Sequence, residues 1–277
     1  VQVGDEVKFG IGSYTYAWNI GIPGFTSPEQ PMDAFGLLRA GIRQGADVVQ
    51  YCENLPLTNL APSALEDLHA EATQHNVSIE VGTRGIDAAD IHHLAELANQ
   101  FGSGFVRLVI DTEQSKPSPS EIVNLLSPIV QGMGGIRLAI ENHDRISVWV
   151  LACIVEELGA SVCLDTANSL GTMEGVNEVV AALAPYAACL HLKDVKVERA
   201  AANLGLNVRG TALGAGQLDI LWTLREMGQA ENCESVIVEL WPEWQGDATF
   251  STERAMAEAS FRQLTHFGEF RSGWQQD

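Results

Sequence analysis

Eight short apolar runs recur along the chain at intervals of roughly 30 residues, the length of one strand–helix unit. They are FGIGSYT (9–15), ADVVQYC (46–52), VSIEVGT (77–83), FVRLVID (105–111), IRLAIEN (136–142), SVCLDTA (161–167), ACLHLKD (188–194) and SVIVELW (235–241). Helical patterns with readable ends lie between them. Ser63-Ala-Leu-Glu66 and Ser118-Pro-Ser-Glu121 have the spacing of capping boxes, the second with proline at the first helical position. Ile91, Leu94, Ala95, Ala98 and Phe101 form an apolar helical stripe that stops at Gly102. Eight strands alternating with eight helices predict a single (β/α)8 TIM barrel over residues 1–277, a usual size for that fold. A doubly wound sheet of eight strands is the alternative. No linker or low-complexity tract divides the chain.

A barrel requires that alternate strand residues face the helices and the axis. The helix-facing sets are Val77/Ile79/Val81, Val106/Leu108/Ile110, Leu138/Ile140, Val162/Leu164, Leu190/Leu192 and Val236/Val238/Leu240, all branched aliphatics. The axis-facing sets hold Glu80, Arg107, Ala139/Glu141, Cys163/Asp165, Cys189/His191/Lys193 and Ile237/Glu239. One phase collects bulk and the other collects chemistry. Glu80 and Arg107, on neighbouring strands, are expected to pair inside the barrel, since a lone buried charge is costly.

Glu141, Asp165, His191 and Glu239 fall in the axis-facing phase at the C-terminal ends of strands five to eight, the end where barrel enzymes carry their catalytic residues. Adjacent strands lie about 5 Å apart, so four consecutive strands can converge these groups. Three carboxylates that close repel one another unless a cation lies between them. A divalent metal resolves the conflict. Oxygen-rich ligation with one nitrogen favours Mn2+ or Mg2+ and admits Co2+ or Zn2+.

The segments IEN (140–142), LDTAN (164–168), HLKD (191–194) and VEL (238–240) resemble the metal-site strands of the xylose-isomerase-like TIM barrel superfamily. That group includes sugar isomerases, tagatose and psicose 3-epimerases, inosose dehydratases, 3-oxo-isoapionate decarboxylases and endonuclease IV. The resemblance implies that Glu141, Asp165, His191 and Glu239 are the four metal ligands. It also implies that Glu141 and Glu239 flank the substrate as acid/base groups, and that the protein is a homo-oligomer. Two departures matter. The 3-epimerases place a substrate-binding histidine three residues after the strand-six aspartate, where this chain has Asn168. The multi-zinc endonucleases are rich in histidine at the site, whereas here only His143 and His191 fall at strand ends; His69, His75, His92, His93 and His266 lie in helical segments. One metal is expected.

Residues 195–216, after strand seven, read as a long lid-like loop carrying Lys196, Arg199 and Arg209. These cations suit a carboxylate, phosphate or polyol oxygen. Lys193 shares the phase of His191 and is expected to reach substrate. Arg84, Tyr14, Trp241, Asn168 and His143 complete the expected substrate-binding set, with Glu53, Trp18 and Trp244 near the same strand ends.

The chain carries 16 basic and 36 acidic residues, a formal charge of −20, which repels phosphate backbones and argues against a nucleic-acid partner. Five cysteines without a CxxC pair read as buried free thiols of a reducing cytoplasm. The first residues, VQVGDEVKFG, lack a signal-peptide pattern, and no run is long enough to span a membrane. The expected activity is metal-dependent isomerisation or epimerisation of a small polyhydroxylated carbonyl compound through an enediolate. A lyase that decarboxylates a 3-oxo sugar acid is the second reading, since HLKD followed by a long glycine-containing stretch resembles the sugar-acid branch. A sugar-binding barrel without chemistry is the third.

Overall fold

In the computed structural model, which describes residues 7–268 apart from 229 and 231, eight parallel strands close into a barrel. They are β1 (Lys8–Gly12), β2 (Val48–Tyr51), β3 (Ser78–Arg84), β4 (Phe105–Val109), β5 (Arg137–Glu141), β6 (Ser161–Asp165), β7 (Ala187–Leu192) and, after the hairpin β8 (Asp194–Arg199) and β9 (Leu206–Thr211), β10 (Ser235–Val238). Each strand pairs with its neighbours in chain order, and β10 closes the ring against β1. The helices α1 (Ala17–Ile20), α2 (Ala34–Gln44), α3 (Pro62–Gln74), α4 (Ala88–Phe101), α5 (Pro119–Gly132), α6 (Val148–Leu158), α7 (Val176–Leu183), α8 (Ile220–Met227) and α9 (Ala248–Gly268) lie in the connections and after β10. Among the described residues no helix is long and apolar enough to cross a membrane.

The alternation divides the core as the fold demands. Ile79, Val81, Val106, Leu108, Leu138, Ile140, Val162, Leu164, Leu190, Leu192, Val236 and Val238 join the helix faces in one large apolar layer. A separate, smaller cluster of Phe105, Ala139, Cys163, Ala188 and Cys189 fills the barrel interior. Both Ala188 and Cys189 are in that interior, which strict alternation forbids. The pairing of β6 with β7 explains it. Val162 is level with Ala187, but Cys163 is level with Cys189, so one extra residue is accommodated on β7. This β-bulge brings Asp165 level with His191. An unbroken ladder would set Asp165 beside Leu190, out of phase with the histidine.

Local signals were mostly decisive. Ser118 and Glu121 form the capping box, and α4 ends at Gly102 in the left-handed conformation. The expected box at Ser63 does not form. Pro62 takes the first helical position with Ala61 as the cap, and Ser63 falls inside the helix. The cysteines are free thiols, four buried and Cys153 exposed.

The stretch expected as a loop after β7 is a two-stranded antiparallel hairpin. Asp194, the last residue of HLKD, organises its base. Its carboxylate accepts the backbone N–H groups of Gly214 and Gly216 at 2.9 Å each and of Leu218 at 3.2 Å. On β9, Gly210 lies so close to Trp241 that a β-carbon would meet its carbonyl oxygen at 2.5 Å, which seats the hairpin against the loop after β10.

Candidate metal centre and active site

Glu141, Asp165, His191 and Glu239 each offer a donor atom, and these atoms all lie within 4.8 Å of one another. All four residues are buried. Glu141 and Asp165 end β5 and β6, His191 is the penultimate residue of β7, and Glu239 follows β10 directly. The Glu239 N–H still bonds Leu192 O at 3.1 Å, so the ladder holds that residue in place.

The hydrogen-bond pattern orients the histidine. Gln50 on β2 donates its amide to Glu80 Oε2 at 3.0 Å, which turns its carbonyl oxygen toward His191 Nε2 at 2.7 Å. Nε2 therefore carries the proton, and Nδ1 is left with a lone pair. That lone pair faces Glu141 Oε2 at 3.3 Å and Glu239 Oε1 at 3.1 Å. Acceptor faces acceptors: His191 Nδ1 and Glu239 Oε1 are both buried without a hydrogen-bond partner. A divalent cation bound by these atoms satisfies them, and a carboxylate–imidazole donor set of this kind suits one. Burial opposes charge on the ring, yet Cys163, Glu239 and Glu141 hold the His191 imidazole well above its ordinary pKa. A proton and a divalent ion thus compete for one lone pair.

Two buried cations balance the carboxylates. Lys193 Nζ pairs with Asp165 Oδ2 and lies 2.7 Å from Glu239 Oε2. It also reaches Asn168 Oδ1 at 3.3 Å, and sits 5.1 Å from the centre of the half-exposed Trp241 ring. Arg107 holds Glu141 through Nε and Glu53 Oε2 through Nη1 at 2.6 Å. Burial pushes the Glu141 carboxyl up, but Arg107, His191 and Lys193 overcome this and hold it well below the usual range. Asp165 is raised, with burial outweighing Lys193. The expected Glu80–Arg107 pair is absent. Arg107 is level with Gly82, not Glu80, and runs past that glycine toward the C-terminal end of the barrel. A side chain at residue 82 would meet Arg107 at 2.9 Å. Glu80 is level with Gln50 and bonds it instead.

Asn168 donates to Glu141 Oε1 at 2.7 Å, and its backbone N–H bonds Asp165 Oδ1 at 2.7 Å. Asn142 fixes Asp165 by accepting its N–H and donating to its carbonyl oxygen. Tyr14 and Arg84 both bond Glu53 Oε1, at 2.8 and 3.0 Å, so they join the rim through that carboxylate. His143 stays outside the cluster; its Nδ1 lies 2.9 Å from Asp144 Oδ1 near the surface. Arg199 and Arg209 are exposed on the hairpin, where Arg209 pairs with Glu198. Trp18 and Trp244 pack with ring centres 4.7 Å apart, which with the bond from Trp18 Nε1 to Pro242 O at 2.9 Å ties α1 to the loop after β10. Sequence reasoning missed Gln50. Its signal was an amide in axis-facing register within an otherwise apolar strand.

Residues 38–264 match the family described as xylose isomerase-like TIM barrel. The chain belongs to that family. A 3-oxo-isoapionate decarboxylase from Pectobacterium atrosepticum is 25% identical over 247 residues, covering 87% of this chain and 88% of that protein. Among solved structures, a xylose isomerase domain protein from Planctomyces limnophilus superposes with a TM-score of 0.71 at 15% identity, covering 96% of this chain and 99% of the other. The D-psicose 3-epimerase of Clostridium cellulolyticum H10, solved with D-tagatose, gives 0.69 at 13% identity, with coverages of 94% and 99%. At these identities the structural matches speak for the fold.

Proposed function

We propose that the protein is a metal-dependent lyase that decarboxylates a 3-oxo sugar acid, with Glu141, Asp165, His191 and Glu239 holding one divalent ion. The observation that carries this reading is Lys193. Its ammonium group is buried at the edge of the four-donor cluster, between Asp165 and Glu239, and is fixed there by both. With Asp165 and Glu239 turned to a divalent ion, a substrate carboxylate would be the natural partner for this desolvated cation. The related 3-oxo-isoapionate decarboxylase supports the same substrate class.

A divalent ion supplies positive charge against which negative oxygen develops on the substrate. The chain's own residues do the rest. Lys193 and the Asn168 amide orient the substrate's oxygens. The bond from the 2-carbon to the carboxylate breaks, its electron pair moves into the 3-carbonyl as an enediolate, and CO2 leaves. The 2-carbon then takes a proton from a water molecule that enters from the open C-terminal end of the barrel as CO2 leaves. Arg107 keeps Glu141 ionised and in position throughout. The closed barrel floor of Phe105, Ala139 and Ala188 excludes water from below.

Release of CO2 from a 3-oxo sugar acid by protein loaded with Mn2+ or Mg2+ tests the proposal, and no release with either ion would overturn it. Isomerisation or epimerisation is the second reading, favoured by the two carboxylates Glu141 and Glu239 on one centre. It predicts exchange of a substrate C–H with D2O without loss of carbon. Binding of sugar with neither reaction would mark a non-catalytic barrel.

A further inference from the structure

Directly beneath the four-donor cluster lie two thiols that the lyase reading does not use. The bulge in β7 places Cys189 level with Cys163 on β6. Both are fully buried, and their sulfurs are 2.9 Å apart. Phe105, Ala139 and Ala188 complete an apolar surround. The sulfurs and a ring nitrogen of His191 lie within 4.8 Å of one another. Because Nε2 is committed to Gln50, the unpartnered Nδ1 is the nitrogen with a lone pair to give.

We propose that Cys163, Cys189 and His191 form a second, soft-metal site that takes a thiophilic divalent ion such as Cd2+ or Zn2+ and shares its histidine with the four-donor centre, so that only one of the two sites can be filled at a time. Three features support it. Thiolate sulfur selects soft ions, whereas the carboxylates above suit hard ones. Two thiolates, one neutral imidazole and one divalent ion sum to zero charge, which the apolar floor tolerates. The bulge that brings Asp165 level with His191 also sets the two sulfurs side by side. On binding, each S–H gives up its proton as an S–metal bond forms. Two protons leave and no electron is transferred. A soft ion is therefore expected to inhibit the protein by withdrawing His191 from the hard ion. The competition, though not the thiol site itself, rests on the four-donor centre proposed above.

The test is a Cd2+ titration of the full chain, stripped of metal and then loaded with Mn2+. Ultraviolet absorption reports thiolate-to-cadmium charge transfer, and the electron paramagnetic resonance signal of free Mn2+ reports displacement. Wild type should gain the absorption at one equivalent of Cd2+ and release Mn2+ as it does so. Cys163→Ser/Cys189→Ser should lose the absorption, keep Mn2+ binding, and need at least roughly tenfold more Cd2+ to release it. Cys153→Ser, which removes the exposed thiol, should match wild type. If the double variant does not fold, Cys189→Ala is read in its place. No absorption in wild type, or its persistence in the double variant, overturns the thiol site. Absorption that develops while Mn2+ stays bound overturns the shared histidine. A protein that binds no Mn2+ at all instead overturns the four-donor reading, and the absorption alone then decides the thiol site.

Discussion

Lys193 and Arg199 lie on one continuous stretch of chain, yet they inhabit different electrostatic worlds. Lys193 directly follows barrel strand β7 and, with Arg107, is buried against the carboxylates of the cluster. Arg199 and Arg209 are exposed on the hairpin beyond, where Arg209 meets Glu198 in open solvent. Exposed pairs contribute about 0–1 kcal/mol, whereas removing one partner of a buried pair costs about 3–5 kcal/mol. A cation's importance in this protein is set by the element that carries it, not by its proximity in sequence to the site.

The contrast can be broken at several points. The largest effect is expected at the carboxylates. Glu239→Gln and Glu141→Gln should each lower kcat by about 10²–10⁴-fold and weaken divalent binding, read by calorimetry. Arg107→Met comes next. It strands Glu141 and Glu53 and should cost about 3–5 kcal/mol in urea unfolding, with the loss partly recovered by added divalent ion. That variant also has a pH signature. Glu141 and Glu53 are both held below the ordinary carboxylate range in the folded protein, with burial opposed and outweighed by Arg107. Their contribution is present above the unfolded pKa of about 4.3 and is lost as pH falls through the lowered folded values. Wild type should therefore lose more stability on acidification than Arg107→Met, and parallel pH profiles would contradict this.

Lys193→Met should split two readouts. With the ammonium gone from Asp165 and Glu239, divalent binding tightens, while kcat falls by about 10²–10³-fold. Weaker binding would show that Lys193 organises the cluster rather than opposing the ion. Gln50→Leu removes the group that fixes the His191 tautomer and also the amide donor to buried Glu80, so a loss of about 10–100-fold in metal affinity is expected, without a change in fold by circular dichroism. The smallest effect belongs to the hairpin. Arg199→Ala and Arg209→Ala should leave stability within about 0.5 kcal/mol. A raised KM at unchanged kcat in either would show that the hairpin closes over bound substrate.

Much of the fold was legible because its code is local. Period-two alternation in six runs separates helix-facing aliphatics from axis-facing polar groups, and the structure keeps that separation. The four-donor cluster was legible for the same reason, since phase and strand end are both readable one residue at a time. Pairings across the barrel were not. Arg107 passed over Glu80 for Glu141 and Glu53, because strand tilt and the space at Gly82 decide where a long side chain ends. The hairpin was also hidden, because charged and polar residues interrupt its few apolar ones and most of it lies outside the core, so it lacks the continuous apolar signature of the barrel strands.

The sequence alone thus determined the eight-unit repeat, the two faces of each strand and the residue types at the strand ends, all consequences of backbone periodicity and burial. Tertiary structure decided the rest. It decided which neighbour each buried charge meets, that Gln50 sets the proton on His191, and that one extra residue in β7 brings Asp165 beside His191 and Cys163 beside Cys189. A bulge costs one residue of register, and only the closed ring of strands, where every ladder must meet the next, determines where that residue goes.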